Sequence, residues 1–197
     1  MKKSGELKKH LKRGQVYRRR DLGKWSNAVD RHVEQLVADG TLQKISSGLY
    51  YYPKLSAFGN TPPDEETLIR SFLNDDDFLL TSPNDFNSLG VGTTQLYNKR
   101  VVYNHKRHGE FTFGGRTFFF HSRHKFPNKV TKEYLLVELV SNLKNLAEDP
   151  GFVLKNVSSK MDDFNLSKLK RVLNEFGSVR AKNYLSPMIA KAQERNA

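Results

Sequence analysis

GQVYRRRDLGKWSNAVDRHVEQLVADGTLQKISSGLYYYP, residues 14–53, is the stretch on which the reading of this chain turns. Gly14 closes a short basic helix over Lys3 to Arg13, whose Leu7 and Leu11 are four residues apart on one face. Gln15-Val16-Tyr17 is extended, and Arg18 to Lys24 make a second short helix with Leu22 pointing inward and Trp25 closing it as a core residue. Ser26 has the chemistry of an N-cap for a third helix, because its hydroxyl can accept from a free N–H of the first turn. Val29, Val33, Leu36 and Val37 then repeat at helical spacing up to Gly40. Two β-prone segments follow, Thr41–Ile45 and Leu49–Tyr52, joined by Ser46-Ser47-Gly48, which is a hairpin signal. Helices at a tight turn followed at once by a hairpin make the pattern of a winged helix-turn-helix.

In that pattern one helix enters the DNA major groove, and its early exposed residues meet base edges. Asn27 and Arg31 lie one turn apart on the polar face, with Gln35 a turn further on. Asn suits adenine and Arg suits guanine through paired hydrogen bonds. Ser26 and the helix N-terminus suit a phosphate. Arg18, Arg19 and Arg20 are candidate phosphate clamps, and Lys44, Ser46 and Ser47 of the wing are candidate contacts to backbone or minor groove. Solvated surface is the competing account of each residue taken singly. Of Tyr50, Tyr51 and Tyr52, at least one is expected to pack against the helices.

Charge supports a polyanionic partner. The chain of 197 residues carries 33 Lys+Arg against 21 Asp+Glu, a net of +12. Residues 1–55 hold +8, residues 56–100 hold −4, residues 101–130 hold +5 and residues 131–197 hold +3. Two basic regions therefore flank an acidic one, and the first coincides with the helix-turn-helix pattern. There is no cysteine, which removes disulfides, thiolate metal sites and thiol nucleophiles. The N-terminal MKKSGELKKHLKRG has no apolar core behind its charges, and no apolar run approaches the ~20 residues of a membrane span. A cytoplasmic protein with no membrane partner is expected.

Beyond Pro53–Pro63, taken as a linker, the pattern changes. Asp64 to Leu73 is helical, Ser82 to Leu89 begins a further helix, and the three-aspartate run after Asn74 reads as a solvated turn. Arg100–Tyr103 and Glu110–Phe113 are strands, and Gly114-Gly115 is a two-residue hairpin turn into Arg116–Phe120. Phe111, Phe113, Phe118 and Phe120 alternate around that turn, so the C-terminal helices are expected to cover one face of the sheet. Those helices fall at Lys132–Ala147, about Phe152–Ser159, Leu166–Phe176 and Val179–Ala190. The expected fold class is thus α+β. A winged helix-turn-helix at 1–55 and a linker at 56–63 precede a mixed domain at 64–197, with a small antiparallel sheet and several helices.

Catalytic signals are weak. His105-x-x-His108 and His121-x-x-His124 invite a metal, but an i, i+3 pair diverges on a strand, and neither motif holds an acidic general base. No metal, no cofactor and no enzymatic activity are expected.

The chain resembles the AbiEi-type antitoxins of abortive-infection (type IV) toxin–antitoxin pairs. The resemblance rests on VYRRRDLGKWSNAVDRHVEQLVADGTLQKISSGLYYYPK at 16–54, NSLGVGTTQLYNKRVVYN at 87–104 and LLVELVSNLKNLAED at 135–149. It implies a transcriptional repressor that binds inverted repeats in duplex DNA upstream of its own operon. It also implies a functional partner, a nucleotidyltransferase-like toxin, without a stable complex, and an antitoxin role for the C-terminal half. Lys106, Arg107, Arg116 and Arg123 are the candidate antitoxin surface there. This chain differs from longer members in its compact C-terminal half. The alternative is a protein-interaction module that uses the winged helix for docking, without DNA.

Overall fold

The computed structural model describes residues 4–195 and is a mixed α+β structure with small sheets. Its contacts divide it into two compact units: one runs to Phe78 and includes Glu110–Thr117, and the other comprises Leu79–Gly109 and the chain from Phe118 onward.

The first unit begins with α1 (Ser4–Lys9), β1 (Val16–Arg18) and α2 (Arg19–Leu22), which runs on as a 3-10 turn over Gly23–Trp25. Lys3, at the start of the expected first helix, lies outside the described residues. Helix α3 (Val29–Ala38) is next, then β2 (Gln43–Ser46) and β3 (Leu49–Tyr51). The apolar spacing works as expected: Leu7, Leu11, Leu22, Val33, Leu36 and Leu42 form one buried cluster. β3 is the central strand, pairing antiparallel with β1 on one side and β2 on the other. Alternation along it buries Leu49 and Tyr51 on one face, while Tyr50 on the other face, with Tyr52 just beyond the strand, packs half-buried against that helical cluster as expected.

Three expectations fail here. Trp25 is not core: it is 37% exposed and stacks on His10 at 5.1 Å, with the edge of Tyr17 6.3 Å away. Ser26 is not the N-cap of α3. Ala28 occupies that place with no side-chain hydrogen bond, because the chain makes a further turn after Trp25 before the helix begins. Residues 54–61, inside the expected linker, form a hairpin of β4 (Lys54–Ser56) and β5 (Gly59–Thr61).

Helix α4 (Glu65–Leu73) is capped by Asp64, which accepts from the Thr67 N–H, and ends on Asn74 in the left-handed region. It belongs with the first unit, whereas the sequence pattern starts the second domain at residue 64. Its Phe72 explains the grouping, since it stacks on Phe113 at 4.7 Å and lies 5.1 Å from Phe111. Those two phenylalanines thus pack on α4, an element the sequence pattern did not assign to them. Gly114 and Gly115 both have positive φ, as the two-residue turn requires.

Four strands hydrogen-bond in the order β6 (Phe78–Thr81), β7 (Arg100–Asn104), β9 (Arg116–Ser122), β8 (Gly109–Phe113). β7 and β9 are parallel, in register from Arg100↔Phe118 to Asn104↔Ser122, so the sheet is not purely antiparallel. A local hairpin signal cannot reveal which strand takes the other edge of β9. The helix expected over Ser82 to Leu89 is a 3-10 helix, Pro83–Leu89, with a capping box between Ser82 and Asp85.

The second unit's helices are α5 (Lys132–Asn142), α6 (Pro150–Ser159), α7 (Leu166–Phe176) and α8 (Val179–Arg195). α5 is buried at every position from Glu133 to Val140, because α7 and α8 both pack on it. α7 keeps one apolar stripe and buries Leu169 and Leu173. Among the described residues, no helix is long and apolar enough to cross a membrane.

Candidate nucleic-acid interface

α3 owes its orientation to Val33 and Leu36, which bury one face and turn the other outward. On that outward side Arg31 and Gln35 are exposed one turn apart, and Asn27 is exposed in the turn that precedes the helix. The first-turn N–H groups of α3 have no side-chain cap, so they stay available to an anion.

The three arginines diverge in role. Arg18, on β1 opposite Leu49, is half-buried, and its Nη1 is shielded from solvent with no hydrogen-bond partner among the described residues. Arg19 opens α2 and is exposed. Its Nε and Nη2 donate to Oδ1 and Oδ2 of Asp30 on α3, both at 2.5 Å. That fork holds the Asp30 carboxyl below its usual range by hydrogen bonding and raises the guanidinium above its own. Arg20 donates to the Asn74 side chain at 2.7 Å and lies 3.9 Å from Asp21. Of the three, Arg19 and Arg20 stand on the surface, and both are already engaged.

The hairpin is tied to α2 through backbone, since the Arg19 N–H donates to the Gly48 carbonyl at 2.8 Å. Lys44 is exposed on β2, Ser47 is exposed in the turn, and Ser46 is half-buried at a bulge in the register. The Arg19 side chain and the hairpin turn are thereby fixed against one another, with α3 alongside.

Ser26 has a different task from the one its position suggests. Its hydroxyl accepts from the Ala28 N–H at 3.2 Å and lies 2.7 Å from Nδ1 of His32. His32 is 6% exposed. It stands one residue before Val33 in the apolar stripe, and nothing in the sequence spacing marks it as the partner of Ser26. The pair locks the turn into α3 and so sets where Asn27 emerges.

The four cations expected to form one antitoxin surface separate. Arg116 belongs to the first unit, where it donates to the Pro63 carbonyl at 3.1 Å and lies 3.7 Å from Glu65. Arg123 is taken inward: its Nη1 donates to Glu138 at 2.7 Å and its guanidinium lies over the Tyr103 ring at 3.8 Å. Lys106 and Arg107 are exposed in the loop after β7, where the Asn104 side-chain oxygen accepts from both backbone N–H groups. Parallel pairing of β7 and β9 brings the two His-x-x-His motifs to one end of the sheet. His108 meets His121 edge-on at 5.5 Å, and His105 stacks on Phe126 at 4.7 Å. No three metal-ligating side chains converge among the described residues.

No protein-family model and no curated protein matches the chain. Among solved structures it is similar to the crystal structure of the RV2827C protein from Mycobacterium tuberculosis, with a TM-score of 0.55 and 13% sequence identity. The match covers 95% of this chain and 74% of that one. At that identity the likeness is one of fold alone, and it extends over nearly all of this chain.

Proposed function

We propose that the first unit is a winged helix-turn-helix that binds duplex DNA sequence-specifically, and that the protein is a repressor of the AbiEi antitoxin type. The observation that carries the reading is the outward face of α3, with Arg31 and Gln35 exposed on the helix and Asn27 exposed in the turn before it, on a segment of net charge +8 that also exposes Lys44. In this reading Asn27 and Arg31 take base edges, while Arg19, Arg20 and the uncapped α3 N-terminus take phosphates. The antitoxin role toward a nucleotidyltransferase-like toxin rests on the family resemblance, and only Lys106 and Arg107 of the four candidate cations keep an exposed place in the second unit.

The test compares Arg19→Ala with Arg31→Ala in gel-shift titrations on the region upstream of the gene and on random duplex. Arg19→Ala weakens both DNAs alike and lowers the salt slope by about 0.9, the value of one phosphate contact. Arg31→Ala costs about 1–3 kcal/mol on the cognate site and much less on random DNA. Equal losses on both DNAs would refute base reading by Arg31. No salt-dependent DNA binding by the unmodified chain would leave the winged helix as a protein-docking module.

A further inference from the structure

Within the second unit, a cavity of about 160 Å³ opens between the 3-10 segment, strands β7 and β9, and the end of α5. We infer that it is a binding site for a small organic anion of single-ring size, whose acidic group meets Lys99 and His121 and whose body lies against Phe86, Tyr97 and Tyr103. This inference is independent of DNA binding.

Size sets the first limit. A closed apolar cavity of ~150 Å³ holds one benzene ring, while drug-sized ligands need ~300 Å³ or more. The walls supply the rest of the chemistry. Phe86, Tyr97 and Tyr103 are aromatic, with Val101 and Leu146 beside them, and Asn142 and Asn145 add amides. Tyr97 is fixed at both ends: its N–H donates to Asn84 at 2.6 Å, and its hydroxyl accepts from the Ala147 N–H at 2.8 Å. The aromatic wall is thus preorganised, which lowers the ordering cost of binding.

Charge decides between anion and cation. The nearby carboxylate, Glu138, is saturated from within the protein. It accepts from Tyr103 Oη at 2.7 Å, from Arg123 Nη1 at 2.7 Å and from Asn142 Nδ2 at 3.2 Å. Among the described residues, no carboxylate pairs with Lys99 or His121 of the lining: Lys99 Nζ lies over the Phe119 ring at 4.7 Å, and the His121 ring lies 5.9 Å from Tyr103. Burial first, then the electrostatic effect of Arg123 and its neighbours His108 and Lys99, holds His121 below its ordinary pKa, with Glu138 opposing them. That surrounding favours the neutral imidazole, and a bound anion favours its protonation, so binding takes up a proton.

Calorimetric titration of the full chain with benzoate, and with benzyl alcohol as the neutral ring of similar size, tests this. Saturable benzoate binding is expected, at least tenfold tighter than benzyl alcohol. Its heat should vary with buffer ionisation in the direction of proton uptake. Lys99→Met keeps the apolar stem over Phe119 and removes the charge, so it should weaken benzoate at least tenfold and leave benzyl alcohol unchanged. His121→Gln should abolish the buffer dependence, and Lys125→Ala, on an exposed loop, should bind as the unmodified chain. Absence of saturable benzoate binding, equal binding of the alcohol, or no effect of Lys99→Met in a chain with unaltered circular dichroism would overturn the site.

Discussion

Replacing Glu138 with Gln removes one charge and almost no volume from the most heavily used carboxylate in the second unit. Glu138 is 3% exposed and takes hydrogen bonds from Tyr103, Arg123 and Asn142. A Gln at this place offers one acceptor oxygen in place of two and turns an N–H₂ toward donors. It also leaves Arg123, whose side chain is 33% exposed, with its charge uncompensated. Breaking one side of a fully buried ion pair costs about 3–5 kcal/mol. Discounting for the part of Arg123 still in water brings the expected loss to about 2–3 kcal/mol. Guanidinium unfolding followed by far-UV ellipticity, which is dominated by α5–α8, measures it. The companion variant Glu138→Leu/Arg123→Met/Tyr103→Phe removes the carboxylate with its cation and its phenol, while Asn142 keeps the backbone carbonyl of residue 138 as acceptor; it should lie within about 1 kcal/mol of the parent, because no buried charge is then left unpaired. A loss below about 0.5 kcal/mol for Glu138→Gln, or a triple variant far less stable than the single one, would refute the reasoning.

Asp30→Asn should release Arg19 from its fork and tighten cognate and random DNA alike by about two- to fivefold with the salt slope unchanged; unaltered affinity means that Arg19 stays on residue 30 in the complex. Ser26→Ala should cost about 1–3 kcal/mol of stability by stranding the buried Nδ1 of His32. Thermal melts read that loss, and a change in DNA affinity with stability intact would restore Ser26 to the interface. Burial, with Glu138 beside it, pushes the Tyr103 phenol well above its ordinary range. Its contribution is therefore full below the unfolded value of about 10 and declines as pH rises above it. Alkaline unfolding curves should show that decline and lose it in Tyr103→Phe.

The cut between units also alters where a fragment can be made. A chain starting at residue 64 takes α4 and the Phe111–Phe113 hairpin tip away from the unit to which they belong. Such a fragment parts α4 from β1, on which it packs, whereas the sequence alone expects it to be self-contained.

Local physics was legible wherever a signal repeats along the chain. Leu7, Leu11, Leu22, Val33 and Leu36 declared their burial by helical spacing, Gly114-Gly115 declared a hairpin, and α7 was readable to its ends at Leu166 and Phe176. The outward placement of Arg31 and Gln35 follows from the same periodicity. Tertiary structure alone decided what depends on partners distant in sequence. Parallel pairing brought the loops after β7 and β9 together, Glu138 drew Arg123 inward, and Phe72 claimed the hairpin tip for the first unit. Asp30 took the fork of Arg19, and His32 took the hydroxyl of Ser26. An arginine's reach and a serine's hydroxyl are the same in every sequence context; which carboxylate or ring nitrogen lies within 3 Å is set only when the chain has folded back on itself.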